Sequence, residues 1–137
     1  MKKLAVIVTR SGYNNVLQAC EWASLAAQDG WTVSLFFRDE AAARMSLAKC
    51  KELTMSEGYR GRETRVRELI KKDNKADFPA LLQQLKEAGD VKISVCRESI
   101  KYFDLNVEDL IPELDEVQHA EAFWKEEVTT ADQVLTF

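Results

Sequence analysis

The sequence predicts an α/β domain built on a parallel sheet with helices on both faces. Three observations predict it. Branched apolar runs such as Leu4 to Val8 are too continuous for a strand with one wet face, so they read as strands buried on both sides. Segments with apolar residues at helical spacing separate these runs. The two kinds of segment alternate along a chain of 137 residues, the size of one domain, and such alternation implies crossover connections and parallel strands.

The elements follow in order. Met1-Lys2-Lys3 before an apolar stretch resembles a secretory leader, but five apolar residues before Thr9-Arg10, with no small-residue cleavage site, read instead as a first strand. Residues from about Tyr13 to Asp29 place Val16, Ala19, Cys20, Ala23 and Ala27 on one helical face, and Gly30 sits where a helix would stop. Trp31 to Phe37 is a second strand, and the alanine-rich Asp39 to Leu47 is helix-prone. Asp77 can cap a helix whose second residue is Pro79, with Phe78, Leu81, Leu82 and Leu85 as its apolar face and Gly89 at its end. Val91 to Val95 is a third strand, followed by Cys96 and a helix from Arg97 to Phe103. Asn106 and Asp109 suggest a short capped turn stopping at Pro112. A weak strand around Val117, a helix from Ala120 to about Val128 and a strand from Gln133 to Phe137 complete five strands.

Residues 49–75 interrupt this pattern as an insertion within a single domain spanning 1–137. They carry nine basic and five acidic side chains and a predicted helix from Glu63 to Lys71. Residues 76–137 carry five basic and fourteen acidic ones, so the net charge of −4 averages unlike regions. An acidic chain with pI ≈ 5.1 does not suit nucleic acid as a partner. The insertion has no aromatic platform beyond Tyr59 for single-stranded bases, and reads as a solvated or protein-contacting surface. No apolar run is long enough for membrane insertion. Three cysteines cannot all pair within the chain, which favours reduced thiols and a cytoplasmic setting.

Parallel crossovers gather the strand C-termini on one edge, where open α/β sheets place their chemistry. Cys96 stands there. A thiol at the start of a helix, beside Arg97, faces unpaired backbone N–H groups and positive charge, which favour the nucleophilic thiolate. A small cysteine packed beneath the helix fits the same spacing. Cys20 lies on the apolar face of the first helix and reads as an inert core residue. Cys50, between Lys49 and Lys51, is either an incidental surface thiol or, if the insertion folds over the edge, a resolving partner for Cys96. His119, the sole histidine, begins the last helix on the same edge, either as a proton exchanger or as a solvent-exposed first residue. Arg10 and Ser11 in the first loop, with Arg38 after the second strand, form a candidate anion-binding rim. The chain has no glycine-rich dinucleotide or phosphate-loop motif, no Cys-x-x-Cys and no His-Glu-x-x-His, so neither a cofactor nor a metal is expected.

These stretches resemble the DsrE/DsrF-like family, in particular its stand-alone branch labelled peroxiredoxin-like. The resemblance rests on Lys3 to Arg10 with the following helix and the Gly30 to Phe37 strand. It rests further on Val91 to Phe103 with Leu105 and Glu108 to Ile111, and on Ala120 to Phe123 with Asp132 to Phe137. The sequence departs from that pattern at Val117 to Glu121, where the family is smaller and glycine-containing. The resemblance implies a three-layer α/β/α domain of Rossmann-like or flavodoxin-like appearance, with a mostly parallel five-stranded sheet, forming homo-oligomers. It also implies a sulfur carrier or sulfurtransferase holding a persulfide on Cys96 and serving donor and acceptor proteins. Arg97, Arg10 and Arg38 would stabilise anionic sulfur and His119 would move a proton. The rival readings are a non-catalytic module for a small anion or a protein, with a structural Cys96, and a redox switch pairing Cys50 with Cys96.

Overall fold

A computed structural model describes residues 1–137. Five strands, β1 (Lys3–Val8), β2 (Thr32–Phe37), β3 (Val91–Cys96), β4 (Glu116–Gln118) and β5 (Gln133–Thr136), form one sheet in the order β4-β3-β2-β1-β5. Every neighbouring pair is parallel. The helices are α1 (Tyr13–Gln28), α2 (Glu40–Ala43), α3 (Glu63–Lys72), α4 (Phe78–Ala88), α5 (Arg97–Tyr102) and α6 (Ala120–Phe123). A π-helical turn, Trp124–Val128, extends α6.

The main core lies where α1 and α4 cover one sheet face. Val16, Ala19, Ala23 and Ala27 of α1 meet Leu4, Val6 and Val8 of β1, Val33, Leu35 and Phe37 of β2, and Val91, Ile93 and Val95 of β3. The period of two in the strands sends the intervening residues to the other face. There Ala5, Phe36 and Cys96 form a second cluster with Phe123 of α6. Phe36 and Phe123 stack with ring centroids 4.4 Å apart.

Local chemistry sets the boundaries. Asp77 accepts a hydrogen bond from the Ala80 N–H at 3.2 Å and so caps α4, with Pro79 inside the first turn. Gly30 ends α1 at φ +83°, a conformation that suits glycine. A side chain at Gly89 would come within 3.1 Å of the Ala27 carbonyl, so α4 turns into β3 hard against the end of α1.

Two expectations change. The helix from Asp39 to Leu47 shrinks to α2, because residues 45–47 leave helical geometry to bond with residues 109–111. The Ile111 N–H donates to the Met45 carbonyl at 2.9 Å, and the Leu47 N–H to the Asp109 carbonyl at 2.8 Å. Arg44 is buried in the same bend. Its guanidinium donates to the carbonyls of Ser11, Lys49 and Glu52 and to the Thr54 hydroxyl, and it lies 5.4 Å from the Tyr13 ring centre. Secondly, the basic insertion is part of the fold. Ile70 of α3 is buried in the main core, and the Tyr13 hydroxyl donates to the Lys75 carbonyl at 2.6 Å. Its arginines and lysines are exposed, except for the half-buried Arg67.

Candidate functional site

Cys96 ends β3 and precedes α5. It shares the second cluster with Ala5, Phe36 and Phe123 and is 1% exposed. Its Sγ–H donates to Glu98 Oε2 at 3.4 Å. The other carboxylate oxygen, Oε1, lies 2.8 Å from His119 Nδ1. Glu98 is within the first turn of α5, and His119 caps α6 at the end of β4. The β3–β4 register sets Cys96 opposite Gln118. That pairing puts the loop after β4 beside the start of α5 and closes the chain Cys96–Glu98–His119. The His119 hydrogen bond, with help from the Glu98 backbone N–H and the Cys96 thiol, holds Glu98 at about 2, so it is a carboxylate throughout the ordinary pH range.

Gln118 shares the sheet face of Cys96, one strand over, at the usual spacing of about 4.8 Å. It is 6% exposed. Its Nε2 donates to Glu126 Oε2 at 3.1 Å, while its Oε1 is buried with no partner. Further along this face Glu127 is buried beneath the π turn. Burial alone would raise its pKa. The Ser34 hydroxyl and Lys3, 3.0 Å away, outweigh burial, and with Lys92 they hold it below the usual carboxylate range.

The residues singled out in the sequence fall into three groups. Cys96 and His119 come together, bridged by Glu98. Arg97, Arg10 and Arg38 are exposed, and no side-chain hydrogen bond or ion pair ties any of them to the site. Ser11 contributes its carbonyl to Arg44 at 2.8 Å, so part of the proposed anion rim is turned inward to hold a cation. The remaining cysteines sit elsewhere. Cys20 is a core residue whose thiol burial pushes up to about 12. Cys50 is buried rather than a surface thiol; burial raises its pKa and it donates to the Leu47 carbonyl at 3.6 Å. It belongs to the main core, on the sheet face opposite Cys96, and the structure does not bring the two thiols together.

Sequence reasoning missed Glu98, Gln118 and Glu126. Glu98, two residues after the cysteine, was open to notice, but its tie to His119 depends on β3–β4 pairing, which a three-residue strand barely signals. No three or more His, Cys, Asp or Glu side chains are grouped to hold a metal ion. No helix is long and apolar enough to cross a membrane.

Comparison with solved structures supports the fold. The ychN protein from E. coli superposes with a TM-score of 0.68 at 18% identity, covering 100% of both chains. MTH1491 from Methanobacterium thermoautotrophicum, a protein of unknown function, gives 0.62 at 10% identity over 98% of this chain and 99% of its own. BT1422 from Bacteroides thetaiotaomicron, also of unknown function, gives 0.59 at 12% identity over 99% and 95%. Comparison with curated protein sequences returned no match. The model of the DsrE/DsrF-like family, a family associated with sulfur relay, matches residues 2–137. An all-parallel five-stranded sheet and a family match over nearly its full length agree: this chain belongs to the DsrE/DsrF-like family.

Proposed function

We propose that the protein is a sulfur carrier that holds a persulfide on Cys96 and relays it to an acceptor thiol. The observation that carries this reading is the placement of Cys96 at the C-terminal end of a central strand, with a carboxylate and a histidine linked to it in series. Cys96 gives up its proton and attacks the outer sulfur of a donor persulfide, R–S–S–H. The Cys96–sulfur bond forms as the donor S–S bond breaks, and the donor leaves as R–S–H with the proton that balances the exchange. The reverse attack by an acceptor thiolate on the outer sulfur unloads the carrier. Glu98 stays ionised and holds the thiol and His119 in line, and the proton that Cys96 releases goes to the departing donor thiolate. No net oxidation occurs.

The setting we propose is cytoplasmic, in keeping with three unpaired thiols. We further propose that the chain forms a homo-oligomer and exchanges sulfur with donor and acceptor proteins. Exposed Trp22 and Leu25 support self-association, because with Trp31, Leu135 and Phe137 they line an open cleft of about 560 Å³ beside the edge strand β5.

A second reading, a non-catalytic binding module, draws on the burial of Cys96 and its satisfied S–H. Cyanolysis separates the two. Protein treated with polysulfide and desalted should release one thiocyanate per chain with cyanide, and Cys96→Ser should release none. Equal release from both proteins would remove Cys96 from the role.

A further inference from the structure

The side chains set beside Cys96 include a carboxylate and an amide oxygen that lacks a donor. Glu98 is a carboxylate with Oε2 on the thiol and Oε1 on His119. Gln118 leaves a buried Oε1 with no donor, although the residue is 6% exposed and lies on the same face and register as Cys96. Glu126 already holds the Gln118 amide. The nearby cations are committed or turned away: Lys125 pairs with Glu121 at 2.7 Å, Lys92 with Glu116 and Glu127, and Arg97 is exposed with no side-chain partner. An orphaned buried acceptor calls for a donor, because leaving it unpaired costs free energy. Glu98 must also swing off Sγ before any reagent reaches a thiol that is 1% exposed. An anion would meet Glu98 at close range and be repelled, whereas an ammonium or guanidinium would attract that carboxylate and fill the vacant acceptor.

We propose that the sulfur donor or acceptor of Cys96 carries a positively charged hydrogen-bond donor beside its sulfur, received by Glu98 and Gln118, and that anionic sulfur compounds are disfavoured. This inference rests on the reading of Cys96 as the reacting thiol, and it names the substrate class of that site.

Thiol–disulfide exchange tests it without needing a persulfide. The Cys96 thiolate attacks R–S–S–R, Cys96–S–S–R forms, and R–S⁻ leaves and takes up the proton that Cys96 lost. The probes are cystamine (cationic), hydroxyethyl disulfide (neutral) and dithiodipropionate (anionic). Each rate is divided by that of N-acetylcysteine with the same probe, and adducts are mapped to Cys96. Wild type should prefer cystamine to dithiodipropionate by about tenfold at low salt, and the preference should shrink as salt is raised. Glu98→Gln should bring the ratio to within about twofold of unity, and Gln118→Met should slow cystamine more than the neutral probe. A wild-type ratio at or below one, or a ratio unchanged by Glu98→Gln, overturns the proposal. Peptide mixed disulfides flanked by lysine or by glutamate locate the cation. The same preference among peptides places it on a partner protein, and a preference confined to cystamine places it on a small amine thiol. If the charge preference holds while no persulfide forms on Cys96, the carrier reading alone fails. If the persulfide forms and the ratio is flat, the present inference alone fails.

Discussion

The three thiols of this chain occupy three environments, and their chemistry should differ accordingly. Cys20 is enclosed by the apolar face of α1, and burial raises its pKa to about 12, so folding favours the protonated thiol. The sign of the linkage follows. Its stabilisation is fully present below the ordinary cysteine value of about 8.5 and is lost as pH rises from there through about 12. Cys20→Ala should therefore flatten the alkaline loss of stability, measured as urea midpoints at neutral pH and about pH 10; parallel losses in both proteins would contradict this assignment. Cys50, also buried, should resist alkylation in the native protein. Cys96 was legible from sequence because a cysteine between a branched strand and a polar helix start is local information. Its partners were not. Glu98 meets His119, and Gln118 comes opposite Cys96, only when β4 pairs with β3, and Gln118 lies in a polar stretch that carries no periodic signal.

At the scale of elements, α6 and its π turn form the cover of the site. Phe123 stacks on Phe36 beside the thiol, and Glu127 anchors the far end through Ser34, Lys3 and Lys92. Phe123→Ala removes a fully buried ring and should cost about 3–5 kcal/mol. The same change should speed iodoacetamide labelling of Cys96, read by peptide mapping in the native protein. Unchanged labelling would mean that access runs past Glu98 alone. Glu127, held below the usual range, stabilises the fold above the ordinary carboxylate value of about 4.3, and that contribution is lost as pH falls through its lowered folded value. Glu127→Gln should flatten the acid limb of the stability curve, measured by thermal unfolding from neutral pH downward. The long elements were readable because α1, α4 and the central strands keep their periods. Asp39 to Leu47 misled because its alanines favour helix locally, while residues 45–47 pair with a segment some sixty residues away and Arg44 gathers carbonyls from two loops.

Over the whole molecule, the sheet separates a thick layer of α1, α3 and α4 from a thin one made by α6 and its turn. The thick side holds the main core and two of the cysteines; the thin side holds Cys96. Charge divides along the chain as well, with the basic surplus on the insertion and the acidic surplus after residue 75. Phe123 is spent on Phe36, whereas Trp124, 59% exposed, and the cleft beside β5 are apolar surfaces open to the proposed self-association. Light scattering should return a mass that is a multiple of 15.6 kDa, and a monomer at high concentration would contradict the proposed assembly. The central claim is that Cys96 carries sulfur, and mass analysis after incubation with polysulfide, without reduction, tests it most directly. Wild-type protein should gain one sulfur atom that maps to the peptide containing Cys96 and is lost on reduction, and Cys96→Ser should gain none. No added sulfur on wild type, or the same addition on Cys96→Ser, would contradict the claim.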